Sequence, residues 1–142
     1  MDFKNTEKLF LETKSHRRDI QKILHFLSIK LEKIGDRHDY TKFRNPGNNE
    51  LNSDFIKMIE SNFENLQWYN EHIKQERHHL EKNIPEDVNL LDVIEYLADG
   101  IAAGLIRNKE YIKKELSPEV LQKAFKNTID LILNEIILQI KI

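Results

Sequence analysis

A histidine followed directly by an aspartate, His38-Asp39, sits within the stretch Arg37-His38-Asp39-Tyr40-Thr41-Lys42-Phe43. Imidazole nitrogen and carboxylate oxygen are both good ligands for divalent cations. Adjacent residues can share one ion only where the backbone turns, and Gly35, just upstream, tolerates the positive φ such a turn needs. Lys42, three residues after Asp39, returns to the same side of a helical turn. There its ammonium can hold a phosphate oxygen beside the metal. His16 precedes this stretch, and His72, His78, His79 and Asp99 follow it. A divalent ion takes His nitrogen and Asp oxygen at about 2.0–2.2 Å and needs three or four ligands to converge. His16, His38, Asp39 and Asp99 are expected to form one such cluster from three segments. His72 and His79 fall two turns apart on one helical face, about 10 Å in a straight helix. That is too far for one ion, so they would flank a second ion, or one would touch substrate while the helix ends near His78. The competing reading makes His78-His79 a solvated helix end and His16 a partly buried residue at a helix end.

These residues need elements to position them, and the chain reads as helical. It has only three prolines and four glycines, and breakers this rare favour long helices. From about Thr6 to Ile34, the residues Ile20, Ile23, Leu24, Leu27, Leu31 and Ile34 recur at three and four, with His16 on the same face. Asn45-Pro46-Gly47-Asn48-Asn49 is a turn. Asn52 or Ser53 caps the next helix, with Phe55, Ile56, Ile59, Phe63 and Leu66 on its apolar side. A segment opening at Trp68 and Tyr69 runs to about Leu80 and carries His72, His78 and His79. After a loop at Asn83–Asp87, Asn89 caps a helix from Leu90 to about Asn108. Ile94, Leu97, Ala98, Ile101 and Leu105 form one face of it, with Asp92, Tyr96, Asp99 and Ala103 opposite. The small residues Ala98, Gly100, Ala102, Ala103 and Gly104 predict a central helix buried on more than one side, where Asp99 would need a partner. Ser117-Pro118-Glu119 opens the last helix as cap, Pro and acid. Leu121, Phe125, Ile129, Ile132, Ile136 and Ile140 supply its apolar stripe. The apolar run from Leu131 to Ile142 marks it as a candidate subunit contact.

The composition agrees with one soluble domain spanning residues 1–142. Charged residues make up 32% and hydrophobic residues 39%, and the net charge is −2. That balance gives no general attraction to nucleic acid or membranes. No cysteine is present, so any metal must be held by His and carboxylate. That points to Mn, Fe, Zn, Co, Ni or Mg. The N-terminal residues have no signal-peptide core, and the expected location is cytoplasmic.

The ordered set His16, His38-Asp39 with Lys42, His72, His78-His79 and Asp99 resembles the HD superfamily of metal-dependent phosphohydrolases. More narrowly, the chain resembles an uncharacterised HD-like family found in phages and bacteria. The marks of that family read here as Arg37-x-His38-Asp39-x-x-Lys42-Phe43, His78-His79, and Glu95-x-x-x-Asp99 followed by small residues and Arg107. The resemblance implies an all-α, compact bundle of five to seven helices with the metal between them. It carries His16, His38, Asp39 and Asp99 over as core ligands. His72, His78 and His79 carry over as second-metal ligands or phosphate contacts.

The function expected on this basis is hydrolysis of a nucleotide or other small phosphate ester. The metal would polarise a phosphoryl oxygen and acidify a bound water. Asp39, Lys42, His72 and His79 would carry the chemistry, and Lys42, Arg18, Arg77 and Arg107 would contact phosphate. The main alternative is a non-catalytic, phage-encoded protein that sequesters a nucleotide signal. A di-iron oxygenase and an interaction bundle with incidental histidines are further rivals.

Overall fold

The computed structural model describes residues 3–45, 50–108, 110 and 113–140. The described residues form an all-α bundle of five helices: α1 (Phe3–Arg37), α2 (Ser53–Glu60), α3 (Gln67–Gln75), α4 (Leu90–Asn108) and α5 (Pro118–Ile140). A single 3-10 turn, Tyr40–Lys42, follows α1. An isolated antiparallel bridge pairs Phe43 with Leu51. Positions 46–49 of the expected turn lie outside the described residues. Among the described residues no helix is long and apolar enough to cross a membrane.

Local chemistry sets the helix starts. The Asn52 side chain accepts from the backbone N–H groups of Asp54 (2.8 Å) and Phe55 (3.4 Å), capping α2. At α4 the cap is reciprocal. Asn89 Oδ1 accepts the Leu91 N–H at 2.9 Å, and the Asp92 carboxylate accepts the Asn89 N–H at 2.9 Å. Ser117 Oγ accepts the Val120 N–H at 3.3 Å, with Pro118 opening α5.

The core lies between α4, α5 and the connection before α4. Leu80, Val88, Val93, Tyr96 and Ala124 are buried together, with Leu90 and Leu116 packed on them. Thr128 ties the start of α4 to α5. Its hydroxyl donates to Ala124 C=O at 2.7 Å and accepts the Leu90 N–H at 2.8 Å. The Arg77 guanidinium donates to both carboxylate oxygens of buried Asp92, at 2.7 and 2.8 Å, and to Asp87 at 3.0 Å. This pins the segment after α3 to the start of α4.

The apolar stripes read from the sequence are turned differently from expectation. On α4, Ile94, Leu97, Ala98, Ile101 and Leu105 are exposed, while Asp92, Tyr96, Gly100 and Gly104 are buried. Only the first turn, with Leu91, Asp92 and Val93 all buried, is covered on more than one side; beyond it a single face is buried. The small-residue and acidic side of the helix faces inward, because that side carries the partners of the histidine cluster described below. On α5, Ala124 and Thr128 face the core and Leu121, Phe125 and Ile129 stay exposed, while Ile132 and Ile136 of the expected stripe are half-buried. The side chain of Ile140 lies outside the described residues.

Candidate metal centre

The site forms where three breaks in helical structure meet α4. The first is the end of α1. Gly35 remains inside that helix, so it does not make the turn. Asp39 itself takes the positive φ, with φ 57° and ψ 25°. This region is sparsely populated by non-glycine residues, with Asp and Asn among the better tolerated. The turn brings His38 and Asp39 onto one locus. It also places Lys42 Nζ against Asp39 Oδ2.

The second break is the end of α3. The helix stops at Gln75, and Glu76 is extended. His72 and His79 are therefore not two turns apart on one straight helix. The chain doubles back, and their Nε2 atoms lie 2.8 Å apart. His78 is buried beside them, its ring centroid 4.3 Å from that of His38 and 4.2 Å from that of His79. Glu95 and Asp99, one turn apart on α4, complete the site. The third break lies after α4, where Lys114 reaches back to Asp99 at 3.1 Å and sits 4.2 Å over the Tyr96 ring.

Each of the four imidazoles turns Nδ1 outward to a glutamate, directly or through a hydroxyl, and Nε2 inward. His38 Nδ1 meets Glu95 Oε1 at 2.9 Å, and His78 Nδ1 lies 3.4 Å from the same oxygen. The Thr41 hydroxyl donates to Glu76 Oε1 at 2.8 Å, so at 2.5 Å it accepts the Nδ1–H of His72. His79 Nδ1 faces Glu81 at 3.8 Å. On the inner side, His38 Nε2 lies 3.6 Å from Asp39 and 3.7 Å from Asp99. Asp39 Oδ1 has His72 Nε2 at 3.5 Å and His78 Nε2 at 3.7 Å. Orientation of ligating imidazoles by carboxylates is the usual outer arrangement of a metal site.

Among the described residues, two overlapping groups have ligand atoms close enough to hold a cation. One is Asp39, His72, His78 and His79, and the other is His38, His78 and Asp99. The donor set fits a divalent ion on an independent observation. Asp39 Oδ1 and His78 Nδ1 are buried and make no hydrogen bond. An orphaned buried carboxylate oxygen is costly, and a cation among the Nε2 atoms would satisfy it. A set rich in imidazole suits Zn, Fe, Co, Ni or Mn better than Mg.

The charges are strongly coupled. The carboxylates of Asp99 and Glu95 push His38 up to about 10. Burial would raise Glu95, but the hydrogen bond of His38 and the nearby imidazole of His78 outweigh it and hold the group at about 2. Burial, reinforced by His79, lowers His72 to about 4. Burial and the neighbouring His78 also lower His79. His38 and Lys114 hold Asp99 well below the usual carboxylate range, against its desolvation.

Of the residues expected at the site, His38, Asp39, Lys42, His72, His78, His79 and Asp99 come together. His16 does not. It is exposed on α1, about 30 Å along an unbroken helix from Arg37 at about 1.5 Å per residue. Its expected role as a core ligand is corrected: His72, His78 and His79 stand where it was placed. Arg18 is exposed on the same distal part of α1. Arg107 is exposed about 12 Å along α4 beyond Asp99. Arg77 has its guanidinium committed to Asp92 and Asp87. Arg18 and Arg107 are therefore not placed to take a phosphate at this centre, while Arg77 lines the cleft beside Glu76 and Glu95 with its guanidinium held by Asp92 and Asp87.

The sequence reading missed Glu76, Glu81, Thr41 and Lys114. It quoted Glu95 without a role, although its spacing of four from Asp99 already put both on one helical face. A cleft of about 260 Å³ lined by Lys30, Lys33, Arg37, Tyr40 and Gln75 reaches the carboxylate side of the site at Glu76 and Glu95.

No curated protein and no solved structure matches the chain. A family model described as "Family of unknown function (DUF5662)" matches residues 5–139, nearly the whole chain, and the protein belongs to that family.

Proposed function

We propose that this protein is a metal-dependent phosphohydrolase of HD type, acting on a nucleotide or other small phosphate ester. The observation that carries this reading is the common orientation of His38, His72, His78 and His79. All four present Nε2 toward Asp39 or toward one another. Asp39, Asp99 and these imidazoles would hold the ion, with Glu95, Thr41 and Glu76 fixing the rings. When bound, such an ion supplies Lewis-acid polarisation of a phosphoryl oxygen and acidifies a water.

The chain's own residues do the rest. Lys42 and Lys114 already rest on Asp39 and Asp99, at the rim of the centre. Once those carboxylates turn to a cation, the two ammoniums are free to grip the non-bridging oxygens of a phosphate. The His79 side chain is more accessible than that of His72, 14% against 2%. Only when released from the ion is it the imidazole suited to passing a proton to or from solvent. Asp39 orients the attacking water.

The test is to incubate protein loaded with Mn, Zn, Fe, Co or Ni with a panel of nucleotides and simple phosphate monoesters. Release of phosphate, abolished by a chelator and restored by metal, supports the reading. Tight binding with the ligand intact would point instead to sequestration of a nucleotide signal. Neither turnover nor binding would reject both.

A further inference from the structure

The cleft of about 260 Å³ on the glutamate side of the centre is built by four segments. Lys30, Lys33, Ile34 and Arg37 come from α1, Tyr40 from the 3-10 turn, Glu76 and Arg77 from the segment after α3, and Glu95 from α4. No imidazole of the centre lines it, and neither does Asp39, Asp99, Lys42 or Lys114. Its rim is cationic in a chain whose net charge is −2. Two of the cations already have partners. Lys30 lies 3.5 Å from Glu135, and the Arg77 guanidinium is held by Asp92 and Asp87. Lys33 and Arg37 have no ion pair with any described residue. They stand one turn apart on α1, a spacing at which like charges repel and weaken a helix. The helix dipole favours Arg37 at the last position, but it falls off within that turn and does little for Lys33. Arg37 is also not loose in solvent. Its guanidinium lies 5.4 Å over the ring of Tyr40, another wall of the same cleft.

The floor of the cleft calls for hydrogen-bond donors instead. Glu76 is only 4% exposed, and Glu95 is half-buried. Each spends one oxygen on the centre. Glu76 Oε1 accepts from Thr41, and Glu95 Oε1 meets His38. The Oε2 atom of each takes no hydrogen bond from a described residue. Carboxylate oxygens this deep in a protein normally have a partner.

We infer that this cleft is a second binding site, separate from the metal centre, for a small sugar phosphate. The phosphate dianion sits between Lys33 and Arg37, cancels their repulsion and takes charge-assisted hydrogen bonds from both. The sugar hydroxyls donate to the free oxygens of Glu76 and Glu95, and the carbon skeleton rests on the half-buried Ile34 and Tyr40. Bare phosphate would satisfy the rim and leave the floor without donors. The volume is below the roughly 300 Å³ at which pockets for drug-sized molecules begin. The body is therefore a single sugar rather than a whole nucleotide.

The experiment is calorimetric titration of the metal-free full chain with ribose 5-phosphate. No ion is at the centre, so the outcome is independent of the phosphohydrolase reading. Binding should be tighter by about tenfold or more than that of inorganic phosphate or of free ribose. The double variant Lys33→Ala/Arg37→Ala should weaken it by about tenfold or more, the loss expected for a charge-assisted hydrogen bond. Both positions are exposed, and alanine is the best helix former, so α1 keeps its helix. The double variant Lys42→Ala/Lys114→Ala, at the metal centre, should bind ribose 5-phosphate as the wild type does. Nuclear magnetic resonance on the wild-type chain gives a second readout, with ligand-induced shifts expected at Ile34 and Tyr40. Absence of binding overturns the inference. So does binding that survives Lys33→Ala/Arg37→Ala, or shifts at Lys42 and Lys114 in place of Ile34 and Tyr40. Inorganic phosphate binding as tightly as ribose 5-phosphate overturns the sugar assignment.

Discussion

His72 Nε2 and His79 Nε2 face each other across 2.8 Å. His72 spends its Nδ1–H on Thr41, so its Nε2 is a bare lone pair. Without a cation, His79 must carry its own proton on Nε2 and donate it to His72. With a cation, both lone pairs turn to the ion, and the His79 proton moves to Nδ1, toward Glu81. Nitrogen-15 NMR of the imidazoles should therefore show His79 switching tautomer when chelated protein is loaded with Zn, while His72 keeps Nδ1–H. An unchanged His79 tautomer would place the ion elsewhere.

Asp39 supplies negative charge that neutral imidazoles cannot replace. Asp39→Ala should lower metal content of protein purified without chelator, measured by elemental analysis, while His25→Ala leaves it unchanged. His25 is exposed on α1, away from the site. Full occupancy in Asp39→Ala would reject the assignment.

Glu95 touches no proposed inner ligand position, yet it orients both His38 and His78. Glu95→Gln should weaken metal affinity by about 10–100-fold, the range for losing an outer carboxylate. Competition with a chromophoric chelator measures it. An unchanged affinity would reduce Glu95 to a structural ion-pair partner.

Lys114 separates metal binding from phosphate binding. Lys114→Ala should keep the ion, or hold it slightly tighter, because a neighbouring positive charge is gone. It should lose about 2 kcal/mol of phosphate affinity if a charge-assisted hydrogen bond is removed. Lys42→Ala should behave alike. Calorimetry with inorganic phosphate on the metal-loaded protein reads both, and loss of metal in either variant would contradict this division of labour.

The titrations set opposite slopes on the stability of chelated protein. His38, raised from 6.5 to about 10, contributes stability that is complete below 6.5 and lost as pH rises through 10. His72, lowered from 6.5 to about 4, contributes stability that is complete above 6.5 and lost as pH falls through 4. Glu95, lowered from 4.5 to about 2, adds to the acid-side loss below 4.5. The melting temperature with chelator should peak near pH 6.5 and fall on both sides. Metal requires a neutral His38, so loading should flatten the alkaline limb. The same alkaline slope with and without metal would mean His38 is not a ligand.

The sequence by itself determined the helices. Scarce breakers, apolar residues at three and four, and the caps at Asn52, Asn89 and Ser117 are local signals, and each produced the expected element. The sequence also marked His38, Asp39, Lys42, His72, His78, His79 and Asp99 as residues fit for metal and phosphate chemistry, although it set His72 and His79 too far apart for the ion of His38, Asp39 and Asp99. It misplaced His16, since periodicity shows which face a residue occupies but not whether the helix runs on past the bundle. It also misjudged the α4 and α5 stripes, because an apolar face and a buried face coincide only when something covers the apolar one. Only the tertiary structure decided that Asp39 makes the turn, that α3 stops at Gln75, that Thr41 and Glu76 together orient His72, and that Lys114 reaches the site from a distant segment. Those contacts depend on where the chain reverses, and a reversal of one or two residues leaves no periodic trace in a sequence.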